Sequence, residues 1–367
     1  MSNGKTECGS APGLGPGDRL RGIMLGAAVG DSLGLPAEGI PPARRRKLFP
    51  GRWRHRFLFG RGMVSDDTEH LVFVAQSLLA HPRSPDRFGA RLGWCLRLWL
   101  LSVPAGIGLG TLRAILRLWM FRGPSRSGVR SAGNGPAMRS AIAGAVLRNR
   151  PDDLEQVVSV STRITHTDPR ALTGARVVAY LAAWALRDSL AERPPLCAFL
   201  AILRSAGSED CQWVSLVDEI GAAARDCVPV AEFADRLGLA RGVSGYAYHT
   251  VPVVAYAWYL HFGDFRDALE AVLNCGGDTD TTGSIIGALT GAVVGEQGIP
   301  AEWVDGIWEW PRTTHVLREI ADRLTEADAG TDASAPVPYF WPGLVPRGLL
   351  FLMVVLAHGF RRLLPPY

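Results

Sequence analysis

The chain has 367 residues, 47% of them hydrophobic and 20% charged, with a formal net charge of +4 at pH 7. This composition describes a folded protein that can bury a large core, as one domain or two, and it excludes disorder away from the ends. So small a charge argues for neither nucleic acid nor membrane. Six cysteines without CxxC spacing (Cys8, Cys95, Cys197, Cys211, Cys227 and Cys275) argue against a disulfide framework or a zinc site, and a reducing cytoplasm fits them.

Residues 1–16 are rich in Gly, Pro and Ser and have no apolar stretch behind a basic start, so a disordered N-terminus is expected and no secretory signal. Two later segments share an unusual spacing. Gly22, Gly26, Gly30 and Gly34 fall four residues apart, as do Gly283, Gly287, Gly291 and Gly295. Each series draws a stripe on one helical face. Four helical glycines cost about 2–4 kcal/mol relative to alanine, a deficit that close helix-to-helix approach can offset. The apolar run from Gly283 to Gly295 is far short of the roughly 20 residues of a membrane span, so both segments are expected to be buried central helices.

Asp31 lies near the end of the first striped helix, and it reads equally as a buried acid bonded to backbone or as a functional group. Glu38, on the loop beyond, suits a mobile catalytic acid or base. Next comes the basic stretch ARRRKLFPGRWRHRF, residues 43–57. It reads either as a solvated loop or, because Trp53 and Phe57 interleave with the arginines, as a contact surface for an acidic target or nucleic acid.

Ser65-Asp66-Asp67-Thr68-Glu69 then precedes the apolar run LVFVAQSLL. A capping box is available here. Adjacent aspartates at a helix start point in different directions, however, which suits ligands for two ions better than one cap. Apolar residues at three- and four-residue spacings continue through RLGWCLRLWLLSV, ARVVAYLAAWAL and VPVVAYAWYL with few strand signals, so an all-α fold is expected. Asn134-Gly135-Pro136 and Asp168-Pro169 read as helix starts.

From Asp267 to Pro311 there is no Lys or Arg, where the chain average would place about five. Inside that span, Cys275-Gly-Gly-Asp-Thr-Asp-Thr-Thr-Gly puts Asp278 and Asp280 before the second glycine stripe. An N-cap explains one of these residues. The others need a distant arginine or a metal ion. Oxygen ligands without His or Cys indicate Mg2+ or Mn2+.

Residues 325–340 have the composition of a linker. After them residues 341–367 are expected to form a C-terminal apolar helix around GLLFLMVVLAHGF (348–360) and Arg361-Arg362, thirteen apolar residues being short for a span. Docking on the body or a partner, or attachment to a membrane, are its two readings.

GAAVGDSLGLPAE, SDDTEH, GNGPAMR, THTDPRA and GGDTDTTGSIIGALTGA, in this order and spacing, resemble the ADP-ribosylglycohydrolase family from about residue 19 to 311. DDT paired with GGDTDT is the specific part. The resemblance implies an all-α, single-domain helical bundle (17–324) with a central two-metal site, usually magnesium or manganese, that removes ADP-ribose from a modified side chain. It implies Ser65, Asp66, Asp67, Asp278, Asp280 and Thr281 as metal ligands, Ser65 standing where many relatives have Thr. It matches Glu38 to the family's loop glutamate, Gly133, Asn134 and Gly135 to the loop along the ADP-ribose phosphates, where backbone N–H groups suit an anion, and His166 to a histidine near the same ligand. Glu38 and Asp278 are the candidates for the catalytic base, unranked by sequence. Arginine-linked ADP-ribose on a protein or small conjugate is the expected substrate, with a monomeric, cytoplasmic enzyme. The alternatives are ADP-ribose on nucleic acid, another nucleotide-like substrate, or an idle binding or structural member.

Overall fold

A computed structural model describes residues 14–329 and 333–366. Most of the 1–16 segment, and Cys8, lie outside the described residues, and the other five cysteines are free. Among the described residues the secondary structure is helical, with isolated β-bridges and no sheet. The fold is all-α.

The two glycine-striped segments are the helices Pro16–Gly34 and Thr279–Val294, buried along almost their whole length. They run antiparallel with their stripes in contact. A Cβ on Gly22, Gly26 or Gly30 would lie 2.2, 2.2 or 1.9 Å from the carbonyl oxygen of Gly291, Gly287 or Gly283. The missing side chains therefore let two backbones touch, and dispersion and Cα–H···O contacts offset the conformational cost of the glycines. The antiparallel sense carries the end of the first helix to the start of the second. Gly34 faces Thr279, whose hydroxyl donates to the Gly34 carbonyl at 2.8 Å.

Other helices wrap this pair. Asp66–Ala80 and Thr314–Ala329 pack on the first, and Pro169–Arg187, Ala247–Leu260 and Phe265–Leu273 on the second. The start expected at Asp168 is present, with the Asp168 carboxylate accepting from the Arg170 N–H at 3.0 Å. The start at Asn134 gives only the short Gly135–Met138 helix. The chain breaks at Arg139, whose fully buried guanidinium donates to Ser161 and Thr165, and resumes at Ala141–Val146.

Thr314–Ala329 runs through the first part of the stretch read as a linker. Residues 333–340 then return along the body, where Gln76 and Val337 exchange two hydrogen bonds of 2.9 and 2.8 Å. The C-terminal helix, Leu344–Arg362, is longer than its thirteen most apolar residues suggested, and Trp341–Arg362 is long and apolar enough to cross a membrane by length and composition, with mean hydropathy 1.7. Here one face docks on the body, with Phe351 and Val354 packing on Leu35, Phe57 and Met63. Arg347 pairs with Glu309 in a buried ion pair of 2.7 Å.

The basic stretch 43–57 corrects one expectation. Its aromatics are not offered to a partner: Trp53 and Phe57 are only 6% and 4% exposed. Trp53 donates to Asn274 and lies under the Arg45 guanidinium, while Phe57 stacks on His358. Apolar burial took the side chains that base stacking would need.

Candidate active site

Three chain segments meet where the glycine-striped helices bring their ends together: the end of the first helix, the start of Asp66–Ala80 and the start of Thr279–Val294. Asp31, on the last turn of the first helix, is completely buried and holds the second segment in place. Its carboxylate accepts from the Ser65 N–H at 2.9 and 3.0 Å, the Thr68 N–H at 3.2 Å and the Thr68 hydroxyl at 2.6 Å. Of its two sequence readings, the buried acid bonded to backbone is the one observed. Burial pushes its pKa up to about 7 against those donors.

Ser65 is the N-cap of Asp66–Ala80, its hydroxyl oxygen accepting from the Asp67 N–H at 3.3 Å. The same hydroxyl donates to Asp67 Oδ2 at 3.1 Å, and Thr281 from the other cluster donates to that oxygen at 3.2 Å. Asp67 thus joins the two acidic motifs, although 214 residues separate it from Thr281.

The turn before Asp278 depends on its two glycines. Gly276 and Gly277 have φ of +67° and +82°, and a Cβ on Gly277 would lie 2.1 Å from the Val243 carbonyl oxygen. This turn is clasped on one side by the Glu38 loop, through Gly39 N–H to Gly277 O at 2.6 Å, and on the other by Val243, whose carbonyl accepts from the Asp278 N–H at 2.7 Å. Asn134 Nδ2 donates to Asp278 Oδ2 at 2.6 Å and to the Thr250 hydroxyl at 2.9 Å.

Glu38, Asp66, Gly133, Asn134, Gly135, His166, Asp278, Asp280 and Thr281 all line one cleft of about 680 Å³. Ser65 and Asp67 lie buried beneath it. All the residues singled out in sequence therefore converge. His166 sits against Gly110, Gly133 and Gly135, and burial, helped by the Arg139 charge, lowers its pKa to about 3. It is neutral at physiological pH.

Burial first, and neighbouring carboxylates second, raise the pKa values of Asp66, Asp67 and Asp280 well above the usual range, and that of Glu38 in the same direction. The ion pairs at this end of the molecule go to glutamates instead, Arg312 to Glu69 and Arg347 to Glu309. Among the described residues Asp31, Asp66, Asp67, Asp278 and Asp280 have none. Neither are any three His, Cys, Asp or Glu side chains among them already drawn together as a metal cage. The donors nevertheless suit a hard cation. Asp67 Oδ1 is buried without a hydrogen-bond partner, and the Ser65 and Thr281 hydroxyls converge on its other oxygen.

The cleft also has walls that the motifs did not announce. Gly106 to Thr111 form one and Gly242 to Gly245 another. Both are glycine-rich runs ahead of a helix, AGIGLG and RGVSG, a signal visible in sequence but unspecific. Arg362, at the end of the C-terminal helix, donates to the Pro36 carbonyl at 3.1 Å and lowers the pKa of Glu38 electrostatically.

Residues 14–334 match the ADP-ribosylglycohydrolase family. The chain belongs to that family. Its members hydrolyse ADP-ribosyl linkages, and the chain has relatives that cover most of its length. It is 32% identical over 322 residues to an uncharacterized protein of Archaeoglobus fulgidus, covering 84% of this chain and 96% of that one. It is 29% identical over 300 residues to the ADP-ribosyl-[dinitrogen reductase] glycohydrolase of Rhodospirillum rubrum, covering 78% and 89%. A solved structure described as an ADP-ribosylglycohydrolase-related protein complex superposes with a TM-score of 0.62 at 28% identity, covering 85% of this chain and 99% of that one.

Proposed function

We propose that this protein cleaves the glycosidic bond between ADP-ribose and a modified arginine side chain, on a protein or a small conjugate, acting as a monomer in the cytoplasm. The observation that carries this reading is the meeting of both acidic motifs, the Gly133–Gly135 loop, His166 and Glu38 at one cleft. Ser65, Asp66, Asp67, Asp278, Asp280 and Thr281 would hold two divalent cations, Mg2+ or Mn2+, which when bound supply the charge that lets the crowded carboxylates ionise together and polarise substrate oxygens.

Glu38 is the better candidate for moving the proton. Its carboxylate accepts no hydrogen bond among the described residues, and burial raises its pKa toward the range in which a base is effective. Asp278 is already engaged by Asn134, which suits orientation. The water oxygen attacks the anomeric carbon, Glu38 takes the water proton, and the C–N bond breaks through an oxocarbenium-like state whose positive charge the carboxylate wall favours. Breaking the bond leaves a neutral guanidine, which takes the water proton back from Glu38 and departs as the guanidinium cation, and this wall suits a cationic product better than a neutral one. The side-chain-free backbone at Gly133 and Gly135 leaves room for diphosphate oxygens.

Release of ADP-ribose from ADP-ribosylarginine, with and without a chelator, tests the reading. Chelation and the Asp66→Ala/Asp280→Ala double substitution are expected to abolish turnover. Glu38→Gln is expected to lower kcat by about 10²–10⁴ while leaving ADP-ribose binding by calorimetry nearly unchanged. Wild-type turnover in the double variant, with its helical circular dichroism intact, would sink the proposal.

A further inference from the structure

Exposed large apolar side chains are unevenly distributed along the chain. Among the described residues there are twenty-one, and none lies between residues 122 and 307. Nine belong to the helices Pro85–Leu100 and Leu109–Trp119 with their adjoining loops, including Trp94, Leu98, Leu101, Leu116, Met120 and Phe121. Nine more lie from Phe340 to Leu364, among them Leu349, Met353, Leu356 and Phe360 on the outer face of the C-terminal helix. The other three are Phe59, Trp308 and Trp310; Trp308 and Trp310 line a cavity with Pro346 and Leu350 of that same helix.

The two groups adjoin. Gly348 lies so close to the loop after Leu100 that a Cβ on it would meet the Ser102 carbonyl oxygen at 1.8 Å, and Ala105 packs on the cluster built by Phe351 and Val354. Their charge is one-signed. From Arg87 to Pro151 the sequence has eleven arginines and no acidic residue, and none occurs from residue 333 to the end. Arg87, Arg113, Arg122, Arg126 and Arg130 are exposed. Apolar surface ringed by arginine and tryptophan is the chemistry of an anionic bilayer surface.

We infer that this face docks on the surface of an anionic phospholipid bilayer. The C-terminal helix lies along the interface and does not cross it, because its inner face is committed to the body. Crossing would strip Arg347 from Glu309 and from the Val64 carbonyl and uncover Phe57 and Met63. The loop between the two amphipathic helices also forms a wall of the catalytic cleft, with Leu109 both lining it and 69% exposed. Docking therefore sets the mouth of the cleft beside the membrane. This inference stands apart from the hydrolase reading, since it concerns binding and not turnover.

Cosedimentation of the full chain with vesicles of phosphatidylcholine containing about 30% phosphatidylglycerol, against phosphatidylcholine alone, tests it. Binding is expected to the anionic vesicles, weakening with salt. Met353→Glu/Phe360→Glu on one element and Leu98→Glu on the other are each expected to lower partitioning by about tenfold or more, with circular dichroism unchanged. Wild-type binding in both variants would overturn it. So would an absence of binding to the anionic vesicles, and a dimer in analytical ultracentrifugation that either variant dissociates would show that a second copy covers the face instead.

Discussion

His55 shows what burial does to one titratable residue that does not line the cleft. It is only 6% exposed, its Nε2–H donates to the Trp303 carbonyl at 2.7 Å, and its Nδ1 accepts from the Ser32 hydroxyl at 3.1 Å. Burial lowers its pKa below 6.5, as it does for His70 and His166. A histidine with a depressed folded pKa binds fewer protons folded than unfolded once the pH falls below the unfolded value. Stability therefore declines as pH drops through about 6.5. The raised carboxylates of the cleft act in the opposite sense, so the His55 contribution is read as a difference: the Tm of His55→Gln, which keeps a donor for Trp303, is expected to rise relative to the wild type from pH 7 to pH 5, and an unchanged difference in thermal melts would contradict the assignment. The acidic motifs were legible because so many carboxylates without a cationic neighbour demand an explanation. Asp31 was not, since whether its oxygens meet backbone donors or solvent depends on the position of Ser65 and Thr68, which only folding sets.

At the scale of elements, the glycine stripes were fully legible. A four-residue period in the one residue type without a side chain states both a helix and the face on which another backbone must approach. Gly30→Ala places a methyl carbon 1.9 Å from a backbone oxygen that no rotamer change can move. We expect a loss of about 3 kcal/mol or more in urea unfolding. Gly359, in the C-terminal helix with nothing within 4 Å of its Cβ position, is the control: Gly359→Ala should be neutral or stabilising by up to about 1 kcal/mol. The cleft wall at Gly242–Gly245 was hidden because its role follows from pairing with distant backbone. Gly245 O accepts from Asn134 N–H, and Val243 O from Asp278 N–H. Such partners have no local periodicity to betray them. The interrupted helix after Asn134 escaped for a related reason, its break falling at an arginine buried among residues of another helix.

For the whole molecule, the C-terminal helix is as much part of the body as the elements before it. Arg347 is its fastening. Arg347→Met leaves the Glu309 carboxylate buried without its cation and is expected to cost about 3–5 kcal/mol, most of it recovered by adding Glu309→Gln, whose amide oxygen can still accept from the Val64 N–H. Equilibrium unfolding of the single and double variants, monitored by tryptophan fluorescence, checks both values. The pairing of the two glycine helices has a further consequence, for the order in which the protein comes into being. Gly34 and Thr279 touch across 245 residues of sequence. At ribosomal rates the first helix therefore waits on the order of ten to fifty seconds for its partner to be made. During that interval the side-chain-free face lacks the backbone it packs on in the fold, and the acidic cluster cannot assemble until the last quarter of the chain emerges.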